Sequence, residues 1–249
     1  MKNKLEYIGS VLHQEQVSLV TIAETTGTPS FVYSKAKLLE QYQALKDALE
    51  GLNFKINYSV KANSNLSILS LLKDEGSGFD IVSAGELGRV LAIGGDPTSV
   101  VFSGVGKSTE EIDFALKNDI GCINVESSSE LDRVIWRAKI LGRKARVSIR
   151  VNPDVDADTH PYISTGLKES KFGVPISQSL SLFEAANQSE HVSLEGIDCH
   201  IGSQISSVTP LAQAIKSICK TIDELSKKNI TINHVNVGGF IFVAYTEAA

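Results

Sequence analysis

The 249-residue sequence has few cysteines: Cys122, Cys199 and Cys219 are the only three. An odd number at wide spacing fits neither a disulfide framework nor a zinc-knuckle pattern, so buried thiols in a reducing compartment are expected. There is no run of about 18 apolar residues, and no membrane span is expected. The opening stretch, MKNKLEYIGSVLHQEQ, lacks the apolar core of a secretion signal, which points to the cytoplasm. Positive charge is not in excess. Lys plus Arg is 24 and Asp plus Glu is 29, a formal net charge of −5, which argues against a nucleic-acid partner. No low-complexity linker or internal repeat is visible. His160, His191, His200 and His234 include no pair at ligand spacing, so a metal centre is not expected.

What is present is a folded composition, 42% hydrophobic and 21% charged. Closed α/β barrels often reach about 250 residues as a single domain, so the length allows one. From residue 54 onward, β-rich runs alternate with amphipathic stretches. The runs are Phe54–Val60, Phe79–Val82, Val100–Ser103, Cys122–Val125, Arg146–Val151, Leu194–Cys199 and His234–Val237. A helical stripe of Leu38, Leu39, Tyr42, Leu45 and Leu49 precedes the first run. Another, of Leu211, Ile215, Ile218, Ile222 and Leu225, precedes the last. Ser83/Glu86, Ser108/Glu111 and Ser127/Glu130 read as capping boxes, and Thr209–Pro210 as N-cap and N1 of the last helix. Residues 1–34 stay outside this pattern, and Ser30–Tyr33 reads as a strand pairing elsewhere.

Strand and helix in alternation imply parallel strands joined by right-handed crossovers. An open doubly wound sheet and a closed barrel both satisfy this. The strand ends favour the barrel, because they run into polar or glycine-rich residues that a barrel gathers on one face. These ends include Lys61–Asn63, Ser83–Glu86, Ser103–Lys107, Arg150–Asn152, His200–Gln204 and Gly238–Gly239. The long segment from Asn152 to Pro175 reads as a lid.

Within that ring, a desolvated Lys61 amine could attack an aldehyde, although an exposed lysine closing a strand is the plainer reading. His200 could be a base, a ligand or a surface for a ring to stack on; the plainer reading is a satisfied core histidine. Ser203, after Gly202, could offer a hydroxyl and an N–H to a phosphate. Asp80 and Glu86 could each pair with a cation. Gly104 and Gly106 could cradle a phosphate or simply turn the chain.

Tyr58-Ser-Val-Lys-Ala-Asn63 resembles the cofactor-lysine motif of the fold-type III pyridoxal-phosphate decarboxylases. Gly78-Phe-Asp-Ile-Val-Ser83, Phe102-Ser-Gly-Val-Gly-Lys107, Asn124-Val-Glu-Ser127 and Arg150-Val-Asn-Pro153 are similar to the diaminopimelate decarboxylase branch. So are His160-Pro-Tyr-Ile-Ser-Thr-Gly166, Lys171-Phe-Gly173 and Cys199-His-Ile-Gly-Ser-Gln204. The resemblance implies a TIM-like (β/α)8 barrel of the alanine racemase/decarboxylase type. It also implies pyridoxal 5'-phosphate as cofactor, a small amino-acid substrate, a homodimer, and conversion of meso-2,6-diaminopimelate to L-lysine. Lys61 would carry the cofactor covalently and His200 would stack on its ring. Ser203, Gly238 and Gly239 would hold the phosphate, and Asp80, Glu86 and Arg150 would support the ring. Residues 35–249 would form the barrel, incomplete at its C-terminal end, and residues 1–34 would pair with an absent β domain.

Two departures from the family pattern carry consequences. The family continues past the equivalent of Ala249 through a last strand, a phosphate-binding Glu-Pro-Gly-Arg segment and a β domain. The expectation is therefore a truncated or inactive version of the enzyme. In addition, Gly238-Gly239-Phe240-Ile241-Phe242 stands where the family has Gly-Gly-Gly-Leu-Gly, and the two phenylalanines are expected to weaken phosphate binding. The alternatives are a non-catalytic pyridoxal-phosphate-binding or regulatory decoy and, within the enzyme class, an ornithine- or arginine-type decarboxylase.

Overall fold

The computed structural model describes residues 5–153, 155, 172–203, 205 and 207–238. The chain divides into two compact units, Met1–Ile56 and Asn57–Ala249.

In the first unit, β1 (Leu5–Ile8), β2 (Val11–Gln14) and β3 (Val17–Ser18) form an antiparallel sheet. Two helices follow, α1 (Leu19–Thr26) and α2 (Lys35–Ala48). Ser18 and Ser34 cap them, each hydroxyl accepting from a free N–H of the first turn. The Leu38–Leu49 stripe thus lies on α2 as expected, with no fully buried residue. Ser30–Tyr33 is not a strand. It has β-forming side chains but pairs with no strand among the described residues, and Phe31 is 92% exposed. The sheet that does form, between residues 5 and 18, is absent from the sequence reading.

The second unit is a parallel sheet that curls as an open barrel wall. Its strands are β4 (Asn57–Ser59), β5 (Gly78–Ile81), β6 (Val100–Phe102), β7 (Cys122–Val125), β8 (Ala145–Asn152), β9 (Val174–Pro175), β10 (Val192–His200) and β11 (His234–Gly238). Their order is β11-β10-β8-β7-β6-β5-β4, with β9 pairing the end of β8. All seven expected strands occur. β9 is additional, turning the end of the expected lid segment into a pair with Val151 and Asn152. Among the described residues β4 and β11 have no strand on their outer sides, so the wall stays open.

The helices are α3 (Leu66–Asp74), α4 (Ala84–Ala92), α5 (Thr109–Lys117), α6 (Ser128–Leu141), α7 (Ser179–Gln188) and α8 (Val208–Lys227). None of the described helices is long and apolar enough to cross a membrane. Register divides the sheet into two faces. Ile81, Phe102, Ile123 and Val147 align on one, and all are buried with Leu87, Ile112, Leu131, Val134 and Ala138 of the helices. Each such side chain contributes roughly 1.5–3 kcal/mol relative to exposure. The other face is polar. It carries Ser59 beside Asp80, Asn124 beside Ser148, Arg150 beside Asp198, and His200 beside Gly238.

The helix starts differ from expectation in detail. Ser83, Ser108 and Ser127 each accept from the N–H three residues on. Only Ser108/Glu111 closes the reciprocal box. Glu86 and Glu130 reach one residue further back, to the N–H groups of Val82 and Glu126. In α8 the cap is Ser207, not Thr209, which places Pro210 inside the first turn where its missing N–H costs nothing. The buried line of α8 is Pro210, Ala214, Ile218, Thr221 and Leu225, while Ile215 is exposed. Cys122 and Cys199 are buried as expected, whereas Cys219 is exposed.

Candidate active site

In a parallel sheet every strand ends on the same side, and that side collects the candidate residues. β4 runs into a short 3-10 turn, Val60–Ala62, which buries Val60 and leaves Lys61 exposed. Tyr58 fixes the turn by donating its hydroxyl to the Asn63 carbonyl at 3.3 Å. Among the described residues nothing is hydrogen-bonded or ion-paired to the Lys61 ammonium. His200 ends β10 opposite Gly238, the last residue of β11. Ser203 lies just beyond β10, half-buried.

Asp80 sits one strand in from Lys61. Ser59 donates to its Oδ2 at 3.2 Å and Ser103 donates to its Oδ1. Asn124 in turn donates to the Ser103 hydroxyl at 3.1 Å, extending the chain of polar contacts to β7. Burial pushes the Asp80 carboxyl above its ordinary range, against the Ser103 bond, the Lys61 charge and the Ser59 bond. Burial also raises Glu86, opposed by the Val82 N–H, reinforced by Asp80 and opposed by Lys61. The His200 imidazole is lowered to about 4, first by burial and then by the charges of Arg150 and Lys61. Its ring is therefore neutral near pH 7. The Lys61 charge thus reaches Asp80, Glu86 and His200, and the Arg150 charge reaches Asp80 and His200.

Arg150 is buried on the same polar face. Its Nη1 donates to Glu126 Oε1 at 2.7 Å, its Nε lies 3.6 Å from Asp198 Oδ2, and its guanidinium stands 4.9 Å from the centre of the Phe172 ring. Glu126 Oε2 accepts the Gly173 N–H at 3.0 Å, tying the start of β9 to the same carboxylate. Gly104 and Gly106, at φ +90° and +76°, make a strand-to-helix turn that a side chain would strain. Lys107 pins that turn from inside. Only 2% exposed, it donates to the Gly104 carbonyl at 2.6 Å, the Asn124 carbonyl at 2.7 Å and Glu130 at 2.6 Å. Those glycines therefore have a structural explanation.

The pattern of residues 35–249 matches the family model described as "Pyridoxal-dependent decarboxylase, pyridoxal binding domain". The chain belongs to the pyridoxal-dependent decarboxylase family. It is 49% identical over 241 residues to the diaminopimelate decarboxylase of Pseudomonas aeruginosa, covering 97% of this chain and 58% of that protein. It is 42% identical over 241 residues to that of Aquifex aeolicus, covering 97% of this chain and 57% of the relative. The crystal structure of diaminopimelate decarboxylase from Helicobacter pylori complexed with L-lysine superposes with a TM-score of 0.89 at 44% identity, over 92% of this chain and 58% of that one. The chain therefore spans somewhat over half the length of the relatives it matches.

The decarboxylase family uses pyridoxal phosphate, and the residues present fit it. The cofactor has an aldehyde, a flat ring and a phosphate. The site has an exposed amine, a neutral imidazole and, at Ser203, a hydroxyl following a glycine. The face behind them suits polar contents, since the buried Asn57 Oδ1, Asn124 Oδ1 and Ser148 Oγ have no partner among the described residues. Gly238 has no room for a side chain: a Cβ there would stand 2.8 Å from His200 Cδ2. Gly239, the Phe240–Phe242 departure and the His160–Gly166 motif lie outside the described residues.

Sequence reasoning assigned no role to Asp198, Ser103, Asn124 or Glu126. A usable signal existed for the first: period-two alternation on a strand ending at His200 puts Asp198 on the same face. Glu126 follows β7 and offers no comparable periodic cue.

Proposed function

We propose that this chain supplies the cofactor-binding barrel of a diaminopimelate decarboxylase, acting on meso-2,6-diaminopimelate to give L-lysine. The observation that carries the reading is the exposed Lys61 amine at a strand end, within electrostatic reach of Asp80, Glu86 and His200. The Pseudomonas aeruginosa and Helicobacter pylori relatives supply the substrate class.

When bound, pyridoxal phosphate supplies an electron sink for the carbanion left as carbon dioxide departs. The chain's own residues hold and orient it. Lys61 is the attachment point, and Asp80 and Glu86 set the charge around its Nζ. His200 offers an uncharged ring face that needs no counter-ion. Ser203, Gly238 and Gly239 hold the phosphate through hydroxyl and backbone N–H groups. Arg150 would support the ring, its own position set by Glu126. The same reading places residues 1–34 against a β domain, residues 35–249 in the barrel, and the protein in the cytoplasm as a homodimer.

The test fuses this chain to the part of the Pseudomonas aeruginosa relative that it does not cover, and measures lysine released from meso-diaminopimelate. Lysine formation that Lys61→Ala abolishes is expected, with ornithine and arginine left intact. Preferential loss of carbon dioxide from ornithine or arginine would move the reading to a sibling decarboxylase. Cofactor binding without turnover of any of the three would make the chain a binding protein.

A further inference from the structure

We propose that Asp198 is a positioning residue, one wall of a carboxyl cage that fixes the Arg150 guanidinium beneath His200. The proposal deepens the cofactor-site reading above and rests on it for its consequence at the cofactor.

The geometry comes first. Arg150 and Asp198 are register partners on adjacent strands, and His200 lies two residues further along β10 on the same face. Glu126 and Asp198 address different edges of the guanidinium, Nη1 at 2.7 Å and Nε at 3.6 Å. The Glu126 contact is a hydrogen bond, and Asp198 bounds the second edge by packing and charge without one. Arg150 is 7% exposed and Asp198 4%, so water does not substitute for either wall.

The charges around Asp198 favour its protonated form. The groups facing it are Arg150 on β8, Asp80 on β5, Glu126 after β7 and Lys107 before α5. Lys107 is already paired with Glu130. Three carboxyls therefore share one arginine, with Lys61 further out at the mouth. Asp80 accepts from two hydroxyls, and Glu126 accepts from Arg150 and the Gly173 N–H. Among the described residues nothing donates a hydrogen bond to Asp198. It is the least stabilised anion of the three and is protonated first as pH falls. Burial raises it to about 7, opposed by Arg150 and reinforced by Asp80 and Glu126. In that state Asp198 holds Arg150 by shape and dipole without adding a third negative charge.

The sign follows. An acid whose folded value is raised adds stability that is fully present below its unfolded value near 4 and is lost as pH rises through about 7. The experiment uses the whole 249-residue chain as wild type, Asp198→Asn and Asp198→Ala. Folding constants are read from urea unfolding at pH 5 and pH 8. The His200 ring titration is followed by NMR, and pyridoxal 5'-phosphate affinity is measured at both pH values.

Between pH 5 and pH 8 the wild-type folding constant should fall by at least about tenfold relative to Asp198→Asn. Asp198→Asn should keep wild-type cofactor affinity at pH 5, because the amide copies the protonated acid. Asp198→Ala should weaken affinity severalfold at both values and raise the His200 midpoint, as the freed Arg150 moves. A His200 midpoint unchanged in Asp198→Ala, or Asp198→Asn as impaired as Asp198→Ala at pH 5, would overturn the proposal. If no version binds pyridoxal phosphate, the cofactor reading fails, while the folding constants and the His200 midpoint still decide the role of Asp198.

Discussion

Gly238 and His200 are packed so closely that a single methyl cannot come between them: a Cβ on Gly238 would lie 2.8 Å from His200 Cδ2 and 3.2 Å from its Cβ. The pair joins the ends of β11 and β10. Gly238→Ala should therefore push the ring aside, at a cost of about 1–3 kcal/mol for the overpacked contact. Urea unfolding checks the cost, and a pyridoxal-phosphate titration checks the accompanying loss of affinity. A variant with wild-type stability and affinity would show that the ring is not held by this contact.

Lys107 is a structural counterpart. Its ammonium joins the glycine turn after β6 to the carbonyl of Asn124 and to Glu130. Lys107→Met removes the cation and leaves Glu130 buried and uncompensated, which should cost about 3–5 kcal/mol. An unfolding free energy lowered by less than about 1 kcal/mol would contradict that role.

The pH dependence of stability combines two opposing groups. His200 is lowered to about 4, so between that value and its ordinary 6.5 the unfolded chain binds a proton that the folded chain refuses. Its contribution, on the order of 3 kcal/mol, is fully present above pH 6.5 and lost as pH falls through about 4. Asp198 slopes the other way across the same window. Stability should rise with pH in Asp198→Asn, fall with pH in His200→Gln, and vary least in the wild type. Parallel curves for all three would remove both assignments.

The seven main strands were legible because each is a short β-rich run beside a helical pattern, and a parallel sheet needs little more. Lys61 and His200 were legible as strand-end residues, and their motifs carried the family. The N-terminal sheet was not, because its strands are two to four residues long and are defined by pairing rather than composition. Ser30–Tyr33 erred the other way, with β-forming side chains and nothing to pair with. Glu126 was legible as a motif residue, but its role and that of Asp198 were not, because both depend on β7, β8 and β10 coming around one arginine. The upward shift of the Asp198 carboxyl follows from burial, which no spacing encodes.

If the chain is the cofactor-binding part of a decarboxylase, one lysine must carry the cofactor. Incubation with pyridoxal 5'-phosphate, borohydride reduction and peptide mapping read this directly. The account predicts label on the peptide containing Lys61, lost in Lys61→Ala, with none on the buried Lys107. Label on Lys55 or Lys107, or equal labelling of the Lys61→Ala chain, would contradict it.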